Sequence, residues 1–559
     1  MERTLKDLST QPCVLIAHNA KFELGWMRRH GIPLQNFLPF DTMLAEYVLA
    51  GNRPWPLDLD SIAQKYRLGS KGRLIDRLMK GGVCPSEMPE QLLAQRCESD
   101  VSLTTQLFYL QRELLEQAGL TRVVYTRCVT TPVLTIMESE GMLLDHAAVA
   151  AEYDSLIQRR AHLQTALTAL AAGVNLRSGK QMGEFLYTTL GFREMKDRHG
   201  NPLRTATGRP RTDSLALSSL TATTDSQKHF LKLKQEHSKI DSALTKTLDF
   251  FYRVCEERGA TFRAQFHQSR TRTHRLSSSG RRLGFSDGSE RGVQFQNLPR
   301  AYKRLFVARN GNLIVEADGA QLEFRVGGSL AHDPQILRDV QEGADVHRFT
   351  ASVLHRIPED QVTKRQRDGA KADTFKPMYG GMSGTPRQKA YYEAFRQKYH
   401  SLHSTQQGWT MSVLRDGCLR TASGLTFYWP GTRMDQSGYV QNSSSIFNYP
   451  IQSLATAEII PISLVYLFWL AAAETPSVRF VNTVHDSVVA EVPAKELDKY
   501  RALVVESFLN RTYEFMDKVY GIDLYVPLGV SIRAGTRWGE GEEVVTSDPY
   551  RGGSSEDAT

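Results

Sequence analysis

Residues 367–381, RDGAKADTFKPMYGG, constrain the fold more than any other part of the chain. Arg367, Lys371, Phe375 and Tyr379 recur there at a spacing of four. On a helix each step of four turns a side chain only about 40° further round the axis, so the spacing predicts one stripe of two cations followed by two aromatic rings. Cations suit a polyphosphate, and a ring suits a sugar or a base. Taken alone, the stretch also fits an ordinary amphipathic helix with a solvated charged end. Pro377 predicts a kink or an early helix end, because mid-helix proline clashes with the carbonyl four residues back. Gly380 and Gly381 read as helix-ending residues, and Asp368 weakens the positive field beside Arg367.

Two carboxylate motifs flank this stretch. Residues 313–318, LIVEAD, form a β-type run ending in Asp318, and residues 480–490 are apolar strand-like segments meeting at His485-Asp486, as in a hairpin. One Asp at the end of each of two neighbouring strands can share a pair of Mg²⁺ ions about 3.5–4 Å apart. Mg²⁺ keeps waters and takes substrate phosphates as ligands, so two protein carboxylates suffice. Taken singly, a strand-ending Asp is more often a turn or cap residue.

A chain of 559 residues is too long for one core, which predicts several domains. Hydrophobic residues at 41% and charged residues at 23% read as soluble and globular. The net charge of +8 is compatible with a polyanionic partner without being diagnostic of one. The six cysteines show no paired metal spacing and read as reduced thiols of a cytosolic compartment. The opening MERTLKDLST has no apolar core, so no signal peptide is expected. The apolar run 459–473 contains Pro461 and is shorter than a membrane span, which predicts a buried helix and no membrane association.

These motifs resemble those of family A DNA polymerases. The stretch 367–381 is similar to the family's nucleotide-binding helix, K/R-x3-K-x3-F/Y-x3-Y-G, while DGAQLEFR (318–325) and VHDS (484–487) are similar to its palm motifs D-x-S-Q-I-E-L-R and V-H-D-E. The resemblance implies template-directed addition of dNTPs to a primer 3′ end by two-metal phosphoryl transfer. Asp318, Asp486 and the Gly319 backbone would hold two Mg²⁺, with Mn²⁺ as a substitute. Arg367 and Lys371 would bind the β- and γ-phosphates, and Lys371 would protonate departing pyrophosphate. Phe375, Tyr379, Gln321 and Glu323 would line the nucleotide, with Glu323 excluding a ribose 2′-OH. Ser487 stands where the family has a Glu near the metals.

Other boxes occur in family order. FHQSRTRTHRLSSS (266–279) resembles T-x-T-G-R-L-S-S, which implies Arg275 as a minor-groove and primer contact, with His274 replacing the usual Gly. QNLPR (296–300) matches Q-N-I-P and implies DNA contacts from Gln296 and Asn297. NYPIQSLATAEII (448–460) resembles N-x-P-x-Q-G-x-A-A-D, with Asn448 and Gln452 testing base-pair shape in the minor groove. His485 would touch the primer terminus. Lys228 just before a helix expected over 229–251, with Lys232, Lys234, Lys239 and Lys246 on it, would suit a duplex backbone, or form a solvated face. The basic segment 280–293, with Arg281, Arg282 and Arg291, reads as an inserted loop facing template or primer.

The amino-terminal region resembles the later half of a DnaQ-like 3′–5′ exonuclease domain. Asn19-Ala20-Lys21-Phe22-Glu23 and Arg96-Cys97-Glu98-Ser99-Asp100 stand near its second and third motifs, with Asp41 between them. Glu23 replaces an Asp, Arg96 replaces the Tyr that orients water, and the first Asp-x-Glu motif has no counterpart. Fewer carboxylates weaken metal binding, so Glu23, Asp41 and Asp100 are expected to be vestigial. A truncated sheet leaves an unpaired strand edge. Either a separate polypeptide completes the domain, or it is a remnant with a structural role; a processivity factor is a further expected partner.

The expected fold is α+β and multidomain: a right-hand polymerase with a truncated α/β exonuclease-like domain. The expected limits are 1–118 exonuclease-like, 119–265 connecting helices and thumb, 266–330 palm, 331–440 fingers, 441–545 palm, and 546–559 a disordered tail. The expected partners are primer–template DNA and dNTPs, in the cytoplasm of a bacterial or phage-infected cell. A single-subunit RNA polymerase and a non-catalytic DNA-binding homologue are the alternatives.

Overall fold

The computed structural model describes residues 2–547 apart from 73, 177, 195–201, 206–207, 281, 296–297 and 437. Gln296, Asn297, Arg281 and the tail from 548 onwards therefore lie outside the described residues. The chain divides into two compact units. One comprises Met1–Gly141, Arg263–Ser279 and Ala308–Thr559, the other Met142–Phe262 and Gly280–Val307. The expected span 119–265 is thus shared between the units, and 280–307 leaves the expected palm span.

In the larger unit, β1 (Cys13–Ala17) and β2 (Phe37–Asp41) form a two-stranded parallel sheet in which Ala17 pairs with Asp41. Helix α1 (Lys21–Arg29) links them, and α2 (Thr42–Ala50) follows. One face of the sheet packs with Leu24, Met27, Ile32 and Leu34. The alternation of a strand sends Val14, Ile16 and Leu38 to the other face, where they are 59%, 37% and 41% exposed. Two long helices close this region, α3 (Glu90–Ala118) and α4 (Thr121–Glu140).

Downstream, β3 (Asn312–Gly319) leads to α5 (Leu322–Ala331), α6 (Val346–His355) and α7 (Lys364–Thr374). The hairpin of β4 (Cys418–Arg420) and β5 (Thr426–Tyr428) comes next. Helix α8 (Ser443–Ser453), a π-type turn at Leu454–Ile459 and α9 (Ile460–Glu474) then form one continuous helical run. Strands β6 (Arg479–Val484), β7 (Ser487–Pro493), β8 (Gly529–Gly535) and β9 (Glu543–Ser547) complete an antiparallel sheet of order β6-β7-β3-β8-β9. Thr546 and Ser547 pair with Val530 and Gly529 in this sheet, so the tail expected to be disordered from 546 is strand at its start.

The central strands are Val-, Ile- and Ala-rich because both faces are covered: Val315, Ala317, Val488, Val489 and Ala490 are buried. Helix α9 is apolar nearly all round for the same reason. Although 443–474 is long and apolar enough to cross a membrane, 78% of its most apolar window is buried inside the protein.

A buried ion pair pins α4 to that helical run. Arg127 on α4 meets Glu458 in the π-type turn through two contacts, Nη2 to Oε1 at 2.7 Å and Nη1 to Oε2 at 3.0 Å. The Tyr520 hydroxyl donates to the same carboxylate at 2.6 Å. The side chains of Arg127 and Glu458 are 3% and 0% exposed, so neither charge has recourse to water. Two charges this deeply buried are tolerable only when both are satisfied.

In the smaller unit, His146–Leu170 packs against a helical run of Asp225–Ala243, a π-type turn Leu244–Leu248 and Asp249–Arg258. This run begins earlier and ends later than the expected 229–251, because Thr224 and Gln227 form a capping box at its start. Phe250, Phe251, Phe262, Phe295 and Phe306 interlock with ring centroids 4.4–6.4 Å apart. The basic segment expected to face DNA is a hairpin, Leu283–Gly284 with Glu290–Arg291, and Arg291 is ion-paired with Asp249.

Removing one partner of the Arg127–Glu458 pair strands the other charge in the core. Glu458→Ala is expected to lower unfolding free energy by about 3–5 kcal/mol, read as a shift of the urea midpoint, whereas Glu140→Ala at the partly exposed end of α4 shifts it by less than about 1 kcal/mol.

Candidate active site

Strand register sets the centre of the site. Asp318 on β3 lies opposite Ser487 on β7 and Ser531 on β8. Val484 pairs with Ser487, so His485 and Asp486 form a two-residue turn at the tip of the β6–β7 hairpin. His485 sits there at φ +60, a conformation disfavoured for a residue with a Cβ. The Gly319 amide donates to the Asp486 carbonyl at 3.0 Å, which locks the end of β3 to the turn. A Cβ on Gly319 would come 3.1 Å from the Leu322 Cβ, so the position favours glycine.

The Asp318 and Asp486 carboxyl groups are within hydrogen-bonding reach of each other. Burial raises the Asp486 carboxyl above its ordinary range. Its own backbone and the Asp318 hydrogen bond oppose that rise; the nearby Glu323 charge adds to it, and Arg275 opposes it. Two carboxylates so placed repel when both are ionised, and a divalent cation between them removes that cost. Among the described residues no three His, Cys, Asp or Glu are grouped to hold a metal. A pair is nonetheless what a magnesium ion needs when waters and phosphate oxygens supply its other ligands. Ser487 takes no part, because its hydroxyl donates to the Val484 carbonyl at 2.9 Å and is buried.

Beside the carboxylates, α5 and the end of α7 meet. Helix α7 starts with a Thr363/Gln366 capping box and ends at Thr374. Phe375 is its C-cap, Pro377–Tyr379 form a 3₁₀ turn, and Gly380 is left-handed at φ +75. The single helical stripe expected for Arg367, Lys371, Phe375 and Tyr379 is thus broken. The two cations share the α-helix, and the two rings lie in the turn that Pro377 enforces. Tyr379 still reaches the site, its hydroxyl donating to the Glu323 carboxylate. Gln452 on α8 donates to the other Glu323 oxygen at 3.5 Å. Burial, then the Glu323 charge, push the Tyr379 hydroxyl far above its ordinary range, so it is always a donor. Asn448, one helical turn before Gln452, has a buried side-chain oxygen with no hydrogen-bond donor. Gln321 is exposed and left-handed at the start of α5. Arg325, from the same motif, is buried and donates to the Pro527 carbonyl at 2.7 Å.

Two side chains that sequence reasoning did not single out, Asp345 and His347, complete the cationic end. Asp345 caps α6 through the amides of His347 and Arg348, and its second oxygen accepts from Arg367 Nε at 2.5 Å. Lys371 pairs with Asp368 at 2.9 Å. His347 Nδ1 lies 2.9 Å from the Thr374 hydroxyl, and its ring meets Phe375 edge-on at 5.7 Å. Burial, followed by the Arg367 charge, lowers its pKa, so it is a neutral ring among cations. The Asp-x-His sequence at 345–347 signals a helix cap, but only the tertiary fold brings it to Arg367.

The amino-terminal carboxylates are arranged differently. Asp41 is 1% exposed and accepts from the amides of Asn19, Ala20 and Met43, each at 2.9 Å. It fastens the starts of α1 and α2. Asp100 is bonded by Arg96 Nε at 3.1 Å, and the same guanidinium reaches Asp76 at 3.3 Å. The guanidinium engages one Asp100 oxygen, and the other is buried without a hydrogen-bond donor. Glu23 has a buried carboxylate oxygen with no hydrogen-bond donor.

Residues 147–540 match the model of DNA polymerase family A. Among curated proteins, the chain is 26% identical to a DNA polymerase I of Rhizobium leguminosarum, over 96% of this chain and 52% of that protein. It is 27% identical to one of Pseudomonas aeruginosa, over 96% of this chain and 58% of that protein. It is 28% identical to a thermostable DNA polymerase I of Thermus aquaticus, over 73% of this chain and 47% of that protein. The chain spans about half the length of the curated relatives it matches. Among solved structures, the POL domain of Pol1 from M. smegmatis, in complex with DNA primer-template and dNTP, has a TM-score of 0.73 at 22% identity, covering 94% of this chain and 86% of that one.

Burial raises the Glu23 carboxyl from its ordinary 4.5 to about 7, and the Asp41 charge adds to the shift. The folded protein favours the protonated form, so the group costs nothing below its unfolded pKa, and its cost builds as pH rises from there through 7. Glu23→Gln is therefore expected to be more stable than the parent by about 1–2 kcal/mol at pH 8 after allowing for solvent screening. The difference should vanish below pH 4.5, as read from urea midpoints at each pH.

Proposed function

The chain belongs to DNA polymerase family A, and from that membership we propose that it is a DNA-directed DNA polymerase, adding dNTPs to a primer 3′-hydroxyl under the direction of a template. The α+β right-hand fold it shares with a POL domain solved with primer-template and dNTP supports this reading. The observation that carries it is the register that brings Asp318 and Asp486 within hydrogen-bonding reach beside the Glu323–Tyr379–Gln452 network.

The role proposed for each residue follows the family resemblance, and its placement is compatible with it. Asp318, Asp486 and the Gly319 carbonyl would hold Mg²⁺, or Mn²⁺ in its place, whose chemistry is to neutralise charge on phosphoryl oxygens and make a hydroxyl more acidic. Arg367 and Lys371 bind the triphosphate, exchanging Asp345 and Asp368 for phosphate oxygens. Lys371 is 47% exposed and carries a proton it can give to pyrophosphate. Glu323, held by Tyr379 and Gln452, presents a fixed carboxylate beneath the sugar, with the Phe375 ring beside it. A 2′-hydroxyl there meets a side chain already committed to two donors, which disfavours ribonucleotides. Asn448, Gln452, His485 and Arg275 take the minor groove and primer terminus; the same role for Gln296 and Asn297 rests on sequence resemblance.

The amino-terminal region does not excise nucleotides by itself in this reading. One Asp100 oxygen is engaged by Arg96, Asp41 is held by backbone amides, and burial pushes the Glu23 carboxyl up to about 7. Val14, Ile16 and Leu38 form an exposed apolar face on the two-stranded sheet, a surface suited to a partner polypeptide.

Primer extension with Mg²⁺ tests the main proposal. Extension with dNTPs and little with NTPs supports it; extension only with NTPs makes the chain an RNA polymerase, and none with either makes it a binding protein. Purified chain should leave single-stranded DNA intact under the same conditions. Glu323→Ala is expected to raise ribonucleotide incorporation relative to deoxyribonucleotide by about tenfold or more; unchanged sugar selectivity would remove Glu323 from the sugar site.

A further inference from the structure

His274 sits in a backbone conformation and a set of contacts that catalysis by the carboxylate pair does not require. Its φ is +64, in the left-handed region that favours glycine. The ring is nevertheless buried, at 1% exposure. Gly51 offers only a carbonyl, 3.0 Å from Nε2, so Nε2 carries the proton. Nδ1 is buried without a partner. Burial, then the Arg127 charge, lowers the pKa to about 3, so the ring is neutral at any working pH. The imidazole stacks on Tyr47 at 4.0 Å between centroids and meets Phe427 edge-on at 6.0 Å.

These contacts belong to a larger clasp between the amino-terminal region and the segment that carries Arg275. The Tyr47 hydroxyl donates to the Thr271 carbonyl. Thr271 in turn closes its own loop, donating from Oγ1 to the Arg275 carbonyl at 2.7 Å. The residues after Tyr47 grip the β4–β5 hairpin. Asn52 bonds both backbone groups of Tyr428, accepting from its amide at 2.7 Å and donating to its carbonyl at 3.0 Å. Arg53 lies over the Tyr428 ring at 3.9 Å. Gly51 is at φ +64, and a Cβ there would come 2.2 Å from the Thr426 carbonyl oxygen. The turn after α2 therefore fits against both the Arg275 segment and the hairpin. Arg275 is close enough to act electrostatically on Asp486 and Tyr379.

We propose that the amino-terminal α/β region serves in this chain as a buttress for the grip on primer–template DNA, and that His274 is the positioning residue through which it orients Arg275. The proposal rests on the polymerase reading for the identity of the ligand. It explains why a histidine stands at a strained position: its ring bridges α2, the Arg275 segment and β5, which glycine cannot do. It also gives the amino-terminal region a task that needs no nuclease chemistry.

A double-mutant cycle on the full chain tests this, with dissociation constants for a primer–template duplex measured by fluorescence anisotropy. His274→Gly removes the ring at a φ that glycine adopts freely. It is expected to weaken binding by about five- to twentyfold, and to cost no more than about twofold when Arg275 is already alanine. His274→Asn, which tolerates φ above zero and keeps a donor for the Gly51 carbonyl, should recover part of the affinity. Tyr47→Phe supplies a second cycle that removes only the hydroxyl on Thr271, should His274→Gly not fold; its smaller loss should also vanish in Arg275→Ala. Parent-like binding by the variants, or losses that add in full to that of Arg275→Ala, would overturn the positioning role. A parent chain that binds the duplex but does not extend it would defeat the polymerase reading while leaving this cycle interpretable, and a parent that binds no duplex would defeat both.

Discussion

The pairing of β3 with β7 is the constraint on which the rest of the site depends. Asp318 lies opposite Ser487, and the residue before Ser487 is Asp486. A slip of one residue would turn Asp318 to the opposite face and separate the two carboxyl groups. The register is held by the buried apolar face that Val315, Ala317, Val488 and Ala490 share, because a one-residue slip would carry Glu316 and Asp318 onto it. It is also held by the Gly319 amide, which bonds the turn itself. Only with that pair fixed do Glu323 and Tyr379 acquire a reacting centre to stand beside.

Much of this was legible in the sequence, for a physical reason. A strand that ends in Asp after an apolar run, repeated far along the chain, points to two carboxylates on neighbouring strands, and Pro377 foretells the broken helix. What was not legible depends on contacts between distant segments. Asp345 looks like a helix cap and is one, yet its second oxygen holds Arg367 across the fold. Ser487 appears in sequence as a lost acid, and only the structure turns its hydroxyl into the hairpin. Asp41 follows the opposite course. A carboxylate in a nuclease-like context is buried and accepts from three amides at the starts of two helices.

In the amino-terminal region, Asp41 and Asp100 are already engaged by other groups of the protein. Arg96 brings a permanent positive charge to Asp100, and a fixed cation and a divalent metal compete for the same carboxylate. Meanwhile α4, Tyr47 and Gly51 remain tied into the larger unit through Arg127–Glu458 and the clasp on the Arg275 segment. Loss of that region would expose the buried Arg127 partner network, so its retention has a stability argument independent of any nuclease.

The most direct test of the account is single-nucleotide incorporation by Asp318→Asn and Asp486→Asn, measured alongside primer–template affinity. The account predicts that each variant binds DNA within a few-fold of the parent but incorporates dNTP slower by about a thousandfold or more. Incorporation at near-parental rate by either variant would contradict it.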